Sequence, residues 1–431
     1  MFTKWKRDKD QYPSQPTQAS FLMPAPGTSG YPSSYQYGYN NNNTAAPPPI
    51  PPRPYNLSPA VPPYPSAANP NMSAGGMSRQ YINAVYYPNW RIYKQLPPSK
   101  LQVNNITHVF YAFIGVNKDG TLKHFDEYAD LQIEADGVTG CLAAVRKLKH
   151  QNPHLKTIVS LGGGSGSAEF PALATNPRAR DTLARATRQF VDQHGFDGVD
   201  IDWEQPSNTN EGEAYVALLT ALRQALPAPR YLLTTALPCG EWALQHIPLG
   251  RAAALLDMLN LMSYDFSGPW AKVSAHHAQL RHPQPARLPP QADGCLRLSA
   301  MQAVSYMIVH GVHPGQIVLG VPAYARFFRG ARALGAGFSE AGEVDYNDLP
   351  TPDLDRAMVD PELCAAWYLC EGEGGKGFVS LDTPATVRLK AGYVRANGLA
   401  GLFYWQGVGD VSEGPKSLVA AGMEGLRGFG G

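Results

Sequence analysis

Residues 197–204 read Asp-Gly-Val-Asp-Ile-Asp-Trp-Glu. Successive side chains of a β-strand point to opposite faces, so Asp200, Asp202 and Glu204 share one face and step along it by roughly 6 to 7 Å. Crowded carboxylates raise one another's pKa, which keeps a carboxylic acid protonated near neutral pH for general-acid catalysis. A solvated edge strand or a cation-binding patch is disfavoured because Trp203 needs cover on the opposite face. The pattern therefore predicts a catalytic strand.

Composition limits the class of protein. The chain has 431 residues, 44% of them hydrophobic, and a formal net charge of +1. That length fits two average domains or one large barrel. The near-zero charge gives no support for a nucleic-acid partner or an acidic membrane surface. The 5 Cys residues are too few and too scattered for a disulfide framework or a zinc site, so we expect neither a metal nor another cofactor.

The N-terminal part of the chain differs in texture from the rest. Residues 1–78 are rich in Pro, Tyr, Asn and Ser and poor in aliphatic residues, which predicts a disordered tail. Its proline tracts could bind a proline-reading partner, although an inert tail is favoured. The start of the chain has no apolar run for a signal peptide, and no stretch is long enough to span a membrane. We therefore expect a cytoplasmic protein, or one released without a signal peptide.

Short β-rich runs alternate with amphipathic segments through residues 79–427. Helices are predicted at Arg178–His194 and Glu211–Leu226. Alternating strands and helices form right-handed βαβ units, so eight runs predict a (β/α)₈ barrel, with a doubly wound sheet as the alternative. Residues 327–378 are predicted to form a small α+β insertion beside the barrel mouth. The eight runs are Ile82–Tyr87, Ile106–Ile114, Thr157–Leu161, Gly198–Asp202, Tyr231–Leu237, Met258–Ser263, Ile317–Val321 and Leu399–Trp405.

Aromatic and charged residues follow several of these runs. Tyr264 and Asp265 follow the sixth run, Tyr324 and Arg326 follow the seventh, and Trp405 ends the eighth. A mouth lined by rings and carboxylates suits a sugar, whose C–H faces stack on rings while its hydroxyls form hydrogen bonds. A single aromatic residue is more often part of a core. Together with the acids, these residues favour ligand contact for Tyr264 and Trp405.

Three histidines, His276, His277 and His282, form a cluster in a polar loop. No acidic motif accompanies them, so we interpret them as loop or substrate-rim residues rather than metal ligands.

The segment 196–204 resembles the signature of family 18 glycoside hydrolases, the chitinases. The resemblance extends over residues 80–425, and the part between Tyr324 and Trp405 is similar to the α+β insertion of the deep-cleft enzymes. The chain also resembles the intracellular-type fungal members. Further matching motifs are Ser160-Leu-Gly-Gly163, Met262-Ser-Tyr-Asp265, Tyr324-x-Arg326 and Trp405.

The resemblance implies hydrolysis of β-1,4-linked N-acetylglucosamine by substrate-assisted catalysis with retention. Glu204 would be the general acid, and the substrate's own acetamido carbonyl would attack the anomeric carbon. Asp202 would hold the acetamido N–H and stabilise the positive charge, while Asp200 would share a proton with Asp202. Tyr264 would orient the acetamido carbonyl oxygen.

The remaining roles follow from the same resemblance. Trp405 would be the floor under the −1 sugar, and six further residues would contribute to substrate binding. Asp197 lies off the inward face by parity, so Asp197 and Gly198 are assigned structural roles. We expect a monomer that acts on chitin or chitooligosaccharides. The further substrate-binding residues are Tyr86 and Ser160, which would tune Asp200 from beneath, together with Met262, Asp265, Tyr324 and Arg326.

Three positions depart from the family pattern. Gly164 stands where many relatives have a Trp after the double glycine, so that sugar platform is absent. Gln205 replaces a frequent Tyr after the catalytic Glu, and Ala325 replaces a Gly. All the acids are present. We expect these changes to affect subsite affinity and the choice between endo and exo action.

Two alternative functions use the same fold. An endo-β-N-acetylglucosaminidase would cleave the N-glycan core by the same mechanism, but the long insertion favours a walled cleft for a linear polymer. A non-catalytic chitin-binding lectin is disfavoured because Glu204 is retained. A metal-dependent deacetylase would require His and Asp ligands that the sequence does not place together.

Overall fold

The structure is a computed structural model that describes residues 80–284, 294–372, 374–412 and 414–428. The predicted disordered tail, residues 1–78, lies outside the described residues.

Eight parallel strands form a closed barrel. Each strand pairs with its neighbours in chain order, and the first strand pairs with both the second and the eighth, which closes the sheet. This closure confirms the (β/α)₈ prediction and shows that the doubly wound alternative is wrong. The first to eighth barrel strands are Ile82–Pro88, His108–Val116, Lys156–Gly162, Gly198–Asp202, Leu232–Pro238, Met258–Met262, Ile317–Pro322 and Gly401–Trp405.

Alternation along the barrel strands separates two apolar layers. Inward side chains such as Tyr86, Phe110 and Phe403 fill the barrel interior. Outward side chains such as Val199 and Ile201 pack against the surrounding helices. Because both faces of a parallel barrel strand are buried, the strands are almost continuously apolar, and an inward carboxylate is an exception that needs a partner or a function.

Helices and short turns connect the barrel strands. The helix Pro177–His194 begins at Asn176, whose side chain accepts hydrogen bonds from two backbone N–H groups, and ends at Gly195 in the left-handed region. Both predicted helices are present with boundaries shifted by one or two residues. The other α-helices are Cys141–Gln151, Phe170–Thr175, Thr209–Ala225, Glu241–Leu244, Leu249–Ala253, Ala300–Val309, Thr351–Asp355, Pro384–Ala396 and Leu418–Arg427.

A second, antiparallel sheet lies between the seventh and eighth barrel strands. This sheet begins at Tyr324 and ends at Leu381, so it extends beyond the predicted range 327–378 at both ends. Tyr324 and Arg326 therefore belong to the first strand of this insertion and not to the end of the seventh barrel strand. The strands in spatial order are Glu340–Asp345, Tyr324–Arg329, Gly377–Leu381, Ala365–Cys370 and Met358–Asp360.

Three further short strands follow the second barrel strand in the chain. Leu122–His124 pairs with it in an antiparallel hairpin, and Glu134–Ala135 pairs with Val138–Thr139. Among the described residues, none of the helices combines the length and the apolar composition required to cross a bilayer.

Candidate active site

The acidic face of the fourth barrel strand points into the barrel, as its alternation predicted. Asp200 and Asp202 are buried there, whereas the outward Trp203 packs in the helical layer with its ring stacked on Phe170 at a centroid distance of 5.5 Å. Glu204 lies two residues beyond Asp202, the last residue of the strand, and is only partly buried. The three carboxyl groups thus run from the interior of the barrel towards its mouth.

Asp200 is the deepest of the three acids and has the most hydrogen bonds. Its carboxylate accepts from the hydroxyls of Tyr86 at 2.9 Å, Ser160 at 2.7 Å and Thr234 at 2.6 Å. Burial raises the pKa of Asp200, and the three donors oppose that shift. Asn260 donates to the Tyr86 hydroxyl at 3.0 Å and so directs its proton towards the carboxylate.

The strand register explains this cluster. Ser160, Asp200 and Thr234 are direct partners on three adjacent strands, so their side chains lie side by side on the inner face. Ser160 and Tyr86 were predicted from the sequence, but Thr234 and Asn260 were missed. The available signal was a Thr and an Asn inside otherwise apolar strands, where a polar inward residue needs a partner.

Asp202 is in a different environment, although it is only two residues from Asp200. Burial raises the pKa of Asp202 well above its usual range, and the neighbouring charges of Glu204 and Asp200 raise it further. Its Oδ1 atom is buried without a hydrogen-bond partner. A buried carboxyl group without a partner for one oxygen costs free energy unless a ligand satisfies it. Asp202 is therefore suited to a donor on a substrate.

The backbone at Glu204 is held by the loop that follows the third strand. The Glu204 N–H donates to the Ser167 hydroxyl at 2.8 Å, and that hydroxyl donates to the Gly163 carbonyl at 2.9 Å. Gly162 has a φ of +113°, and a Cβ atom there would lie 2.4 Å from the Asp202 carbonyl oxygen. The double glycine thus allows this loop to pass close to the acidic strand. Sequence reasoning missed Ser167.

A second polar cluster surrounds Asp265, which lies in the loop after the sixth strand, Met258–Met262. Its carboxylate accepts from the Tyr324 hydroxyl at 2.7 Å and from Arg326 Nε at 2.9 Å, and Arg326 Nη1 lies 3.0 Å from Glu343. Burial acts to raise the pKa of Asp265, but the charge of Arg326 together with the interactions of His277 and Tyr324 outweighs burial, and the pKa lies below its usual range. The insertion sheet therefore supplies the cation that keeps Asp265 ionised.

Two of the three clustered histidines are not at an exposed rim, contrary to the expectation from the polar loop. His277 is fully buried with its Nδ1 atom 3.9 Å from Asp265 Oδ1, and His276 is buried near Ser380. Only His282 is exposed. The insertion sheet covers the loop, which its composition could not indicate. Trp270, also missed, lies under the Arg326 guanidinium, whose carbon is 5.1 Å from the ring centroid.

Aromatic side chains line the remaining part of the mouth. Trp405 stacks on Phe113 with a centroid distance of 5.7 Å and an interplanar angle of 20°. Tyr264 contacts Tyr324 edge-on at 6.2 Å, and burial raises the pKa of Tyr264 so that it remains a neutral phenol. Met262 is half-buried in the apolar cluster of the barrel interior. The structure thus brings the predicted mouth residues together.

Asp197 and Gly198 lie at the opposite end of the fourth strand. Asp197 accepts from the Thr157 N–H at 2.8 Å and pairs with Lys149 at 2.7 Å. A Cβ atom at Gly198 would lie 2.0 Å from the Leu232 carbonyl oxygen. Both residues are therefore placed to fix the strand at its entrance, away from the mouth.

A (β/α)₈ barrel with paired inward carboxyl groups and an aromatic mouth is an arrangement suited to a glycoside hydrolase. The sequence model of "Glycosyl hydrolases family 18" matches residues 82–410. The chain therefore belongs to family 18 of the glycosyl hydrolases.

Known proteins of this family resemble most of the chain. It is 32% identical to chitinase 1 of Aphanocladium album over 83% of this chain and 89% of that protein. It is also 32% identical to endochitinase 1 of Metarhizium robertsii, over 83% of this chain and 88% of that protein. A solved structure of the group IV chitinase of Ostrinia furnacalis in complex with allosamidin superposes with a TM-score of 0.70. That alignment has 26% identity and covers 80% of this chain and 98% of the other.

Proposed function

We propose that this enzyme is a chitinase that hydrolyses β-1,4-linked N-acetylglucosamine chains with retention of configuration. The observation that carries the proposal is Asp202, whose buried Oδ1 atom has no protein partner between the charges of Asp200 and Glu204. The curated relatives named above are chitinases, which supports the same substrate class. The acetamido N–H of the substrate is a donor of the kind that Asp202 lacks.

In the first step, the proton of Glu204 passes to the glycosidic oxygen as the bond to the anomeric carbon breaks. The acetamido carbonyl oxygen of the −1 sugar forms the new bond to that carbon, giving an oxazolinium ion. Asp202 accepts from the acetamido N–H and stabilises the positive charge that develops. The Tyr264 phenol donates to the acetamido group and holds it in line.

In the second step, the Glu204 carboxylate takes a proton from a water molecule, which attacks the anomeric carbon and opens the oxazolinium ring. Glu204 is protonated again, and the product keeps the β configuration because two inversions have occurred. Asp200, with three hydroxyl donors, holds or shares the Asp202 proton as the charge on Asp202 changes.

Residues around the acids position the sugar. We assign Trp405 as the floor of the −1 site and Asp265 and Arg326 as polar contacts at its side. Tyr86 and Ser160 act through Asp200, Tyr324 acts through Asp265, and Met262 contacts the sugar from the barrel interior. The enzyme is proposed to act as a monomer.

The insertion supports a linear polymer over the N-glycan core. Arg91, which follows the first strand, forms two hydrogen bonds of 2.5 Å with Asp345 of the insertion. This pair joins the insertion to the barrel rim and makes one side of the mouth a fixed wall. A wall along the mouth suits an extended chain more than a branched glycan.

A variant of the acid tests the proposal directly. Glu204→Gln removes the only proposed proton donor while keeping its size, so turnover of chitotetraose should fall by about 10³-fold or more while its Kd changes little. Early-time NMR of the wild-type products should show the β anomer. Near-normal activity of Glu204→Gln, α-anomeric products, or release of a high-mannose glycan without chitotetraose turnover would contradict it.

A further inference from the structure

Phe125 is an exposed aromatic residue beside the mouth that the mechanism does not use. It follows the short strand Leu122–His124, and its side chain is 45% exposed. The ring of a phenylalanine is a flat apolar surface of the kind on which the C–H faces of sugars stack.

Two glycines form a seat for this ring. A Cβ atom at Gly115 would lie 2.8 Å from Phe125 Cε1, and one at Gly166 would lie 2.7 Å from Phe125 Cζ. The far edge of the ring therefore rests on two stretches of bare backbone, from the second barrel strand and from the loop after the third. A ring held in this way loses little freedom on contact with a ligand, which is an advantage for a binding platform.

The seat lies on the substrate side of the barrel. Gly115 is two residues from Phe113 on the same strand, so both face the same side, and the Phe113 ring stacks on Trp405. Gly166 adjoins Ser167, whose hydroxyl holds the backbone of Glu204. Phe125 thus touches the loop that supports the acid.

We propose that Phe125 forms a stacking platform for the N-acetylglucosamine unit on the leaving side of the bond that Glu204 protonates. The inference rests on the proposed function of Glu204 and extends it to a second sugar. Phe125 lies against the loop that holds the backbone of Glu204, the acid that protonates the leaving oxygen, so we assign the sugar that it meets to the leaving side. Gly164, in the same loop, carries no side chain that could act as this platform, and the ring from the neighbouring hairpin takes its place.

Binding to a protein that cannot turn over tests the platform without relying on catalysis. In the Glu204→Gln background, adding Phe125→Leu should weaken chitotetraose binding about fivefold, because the apolar cover of the glycines remains but the flat ring is lost. Gly115→Ala should act in the same direction by pushing the ring from its seat. Leu389→Ala, on the outer helix Pro384–Ala396, removes exposed apolar surface elsewhere and should leave the Kd unchanged.

Steady-state kinetics then distinguishes a contact with the leaving sugar from a contact with the −1 sugar. Phe125→Leu and Phe125→Ala should raise KM for chitotetraose about fivefold, while hydrolysis of chitobiose oxazoline, which has no leaving sugar, should stay within twofold of wild type. An unchanged Kd and KM in Phe125→Leu would overturn the proposal, as would an equal loss on both substrates. A wild-type enzyme that binds chitotetraose but does not cleave it would contradict the proposed function, and the Kd comparison would still decide whether the platform exists.

Discussion

At the scale of single residues, two aspartates on one strand face have opposite surroundings. Asp200 accepts from three hydroxyls, whereas Asp202 has an oxygen without a partner and two charged neighbours. The same residue type therefore serves as a satisfied internal group in one case and as a group available to a substrate in the other. Sequence alternation places both inside the barrel, but only the neighbouring strands determine this difference.

Asp202→Asn should lower kcat about 10²- to 10³-fold, because an amide keeps the volume of the side chain but cannot stabilise the developing positive charge. The measurement is kcat on chitotetraose across pH. Asp197→Asn is the matched control, since it makes the same chemical change on the same segment at the strand entrance, where it should lower thermal stability and leave kcat within twofold. Equal losses of kcat in the two variants would show that Asp202 has only a structural effect.

At the scale of elements, the loop after the third strand connects the double glycine to the acid. Gly162 passes the Asp202 carbonyl closely, and Ser167 holds the Glu204 N–H. In the sequence, the motif Ser160-Leu-Gly-Gly163 contributed only to the resemblance to family 18. The structure gives it a physical basis: one hydroxyl for Asp200, then a backbone that can approach the acidic strand without side chains.

Gly162→Ala should destabilise the protein by about 2 to 3 kcal/mol, because the new methyl group meets a backbone oxygen and the residue has a positive φ. Urea unfolding measures this loss, and activity should fall as the acidic strand shifts. Gly392→Ala is the control: it lies within the helix Pro384–Ala396 with nothing within 4 Å of the new methyl group, and should stabilise by about 0.5 to 1 kcal/mol. A neutral effect of Gly162→Ala would contradict the close approach.

At the scale of the whole molecule, the insertion covers part of the loop after the sixth strand and buries His276 and His277. Burial lowers the pKa of His276 to about 4, although the nearby charge of Asp360 acts in the other direction. The unfolded chain binds a proton at this imidazole near pH 6.5, whereas the folded protein does so only near the lowered value. The stabilising effect is therefore present above pH 6.5 and is lost as the pH falls from there towards 4.

His276→Gln should reduce this pH dependence. Between pH 7 and pH 5, the wild-type free energy of unfolding should fall by about 2 kcal/mol more than that of the variant, because glutamine does not titrate. Urea unfolding at the two pH values measures the difference. His282→Gln, an exposed position in the same loop, should keep the wild-type slope. A slope for His276→Gln equal to that of wild type would contradict the prediction.

Most of the fold could be predicted from the sequence, because strand and helix periodicity are local properties. Eight β-rich runs separated by amphipathic segments specified the barrel, and their observed boundaries differ by a few residues. The insertion lies between the last two barrel strands, and its sheet extends beyond residues 327–378 at both ends. Its first strand begins at Tyr324 only two residues after the seventh barrel strand ends, and no local pattern separates the two.

Apart from the residues that the family resemblance implied, the candidate site was predictable only where one segment contains its residues. The acids at 200, 202 and 204 are adjacent in the chain, so their shared face follows from the strand period alone. Thr234, Asn260, Ser167 and Trp270 come from other segments and reach the site through strand register, a loop or a long-range contact. The sequence alone thus determined the barrel, the acidic strand and the family resemblance. Only the tertiary structure decided which acid has its acceptor oxygens satisfied, because pKa and desolvation depend on neighbours that are distant in the chain.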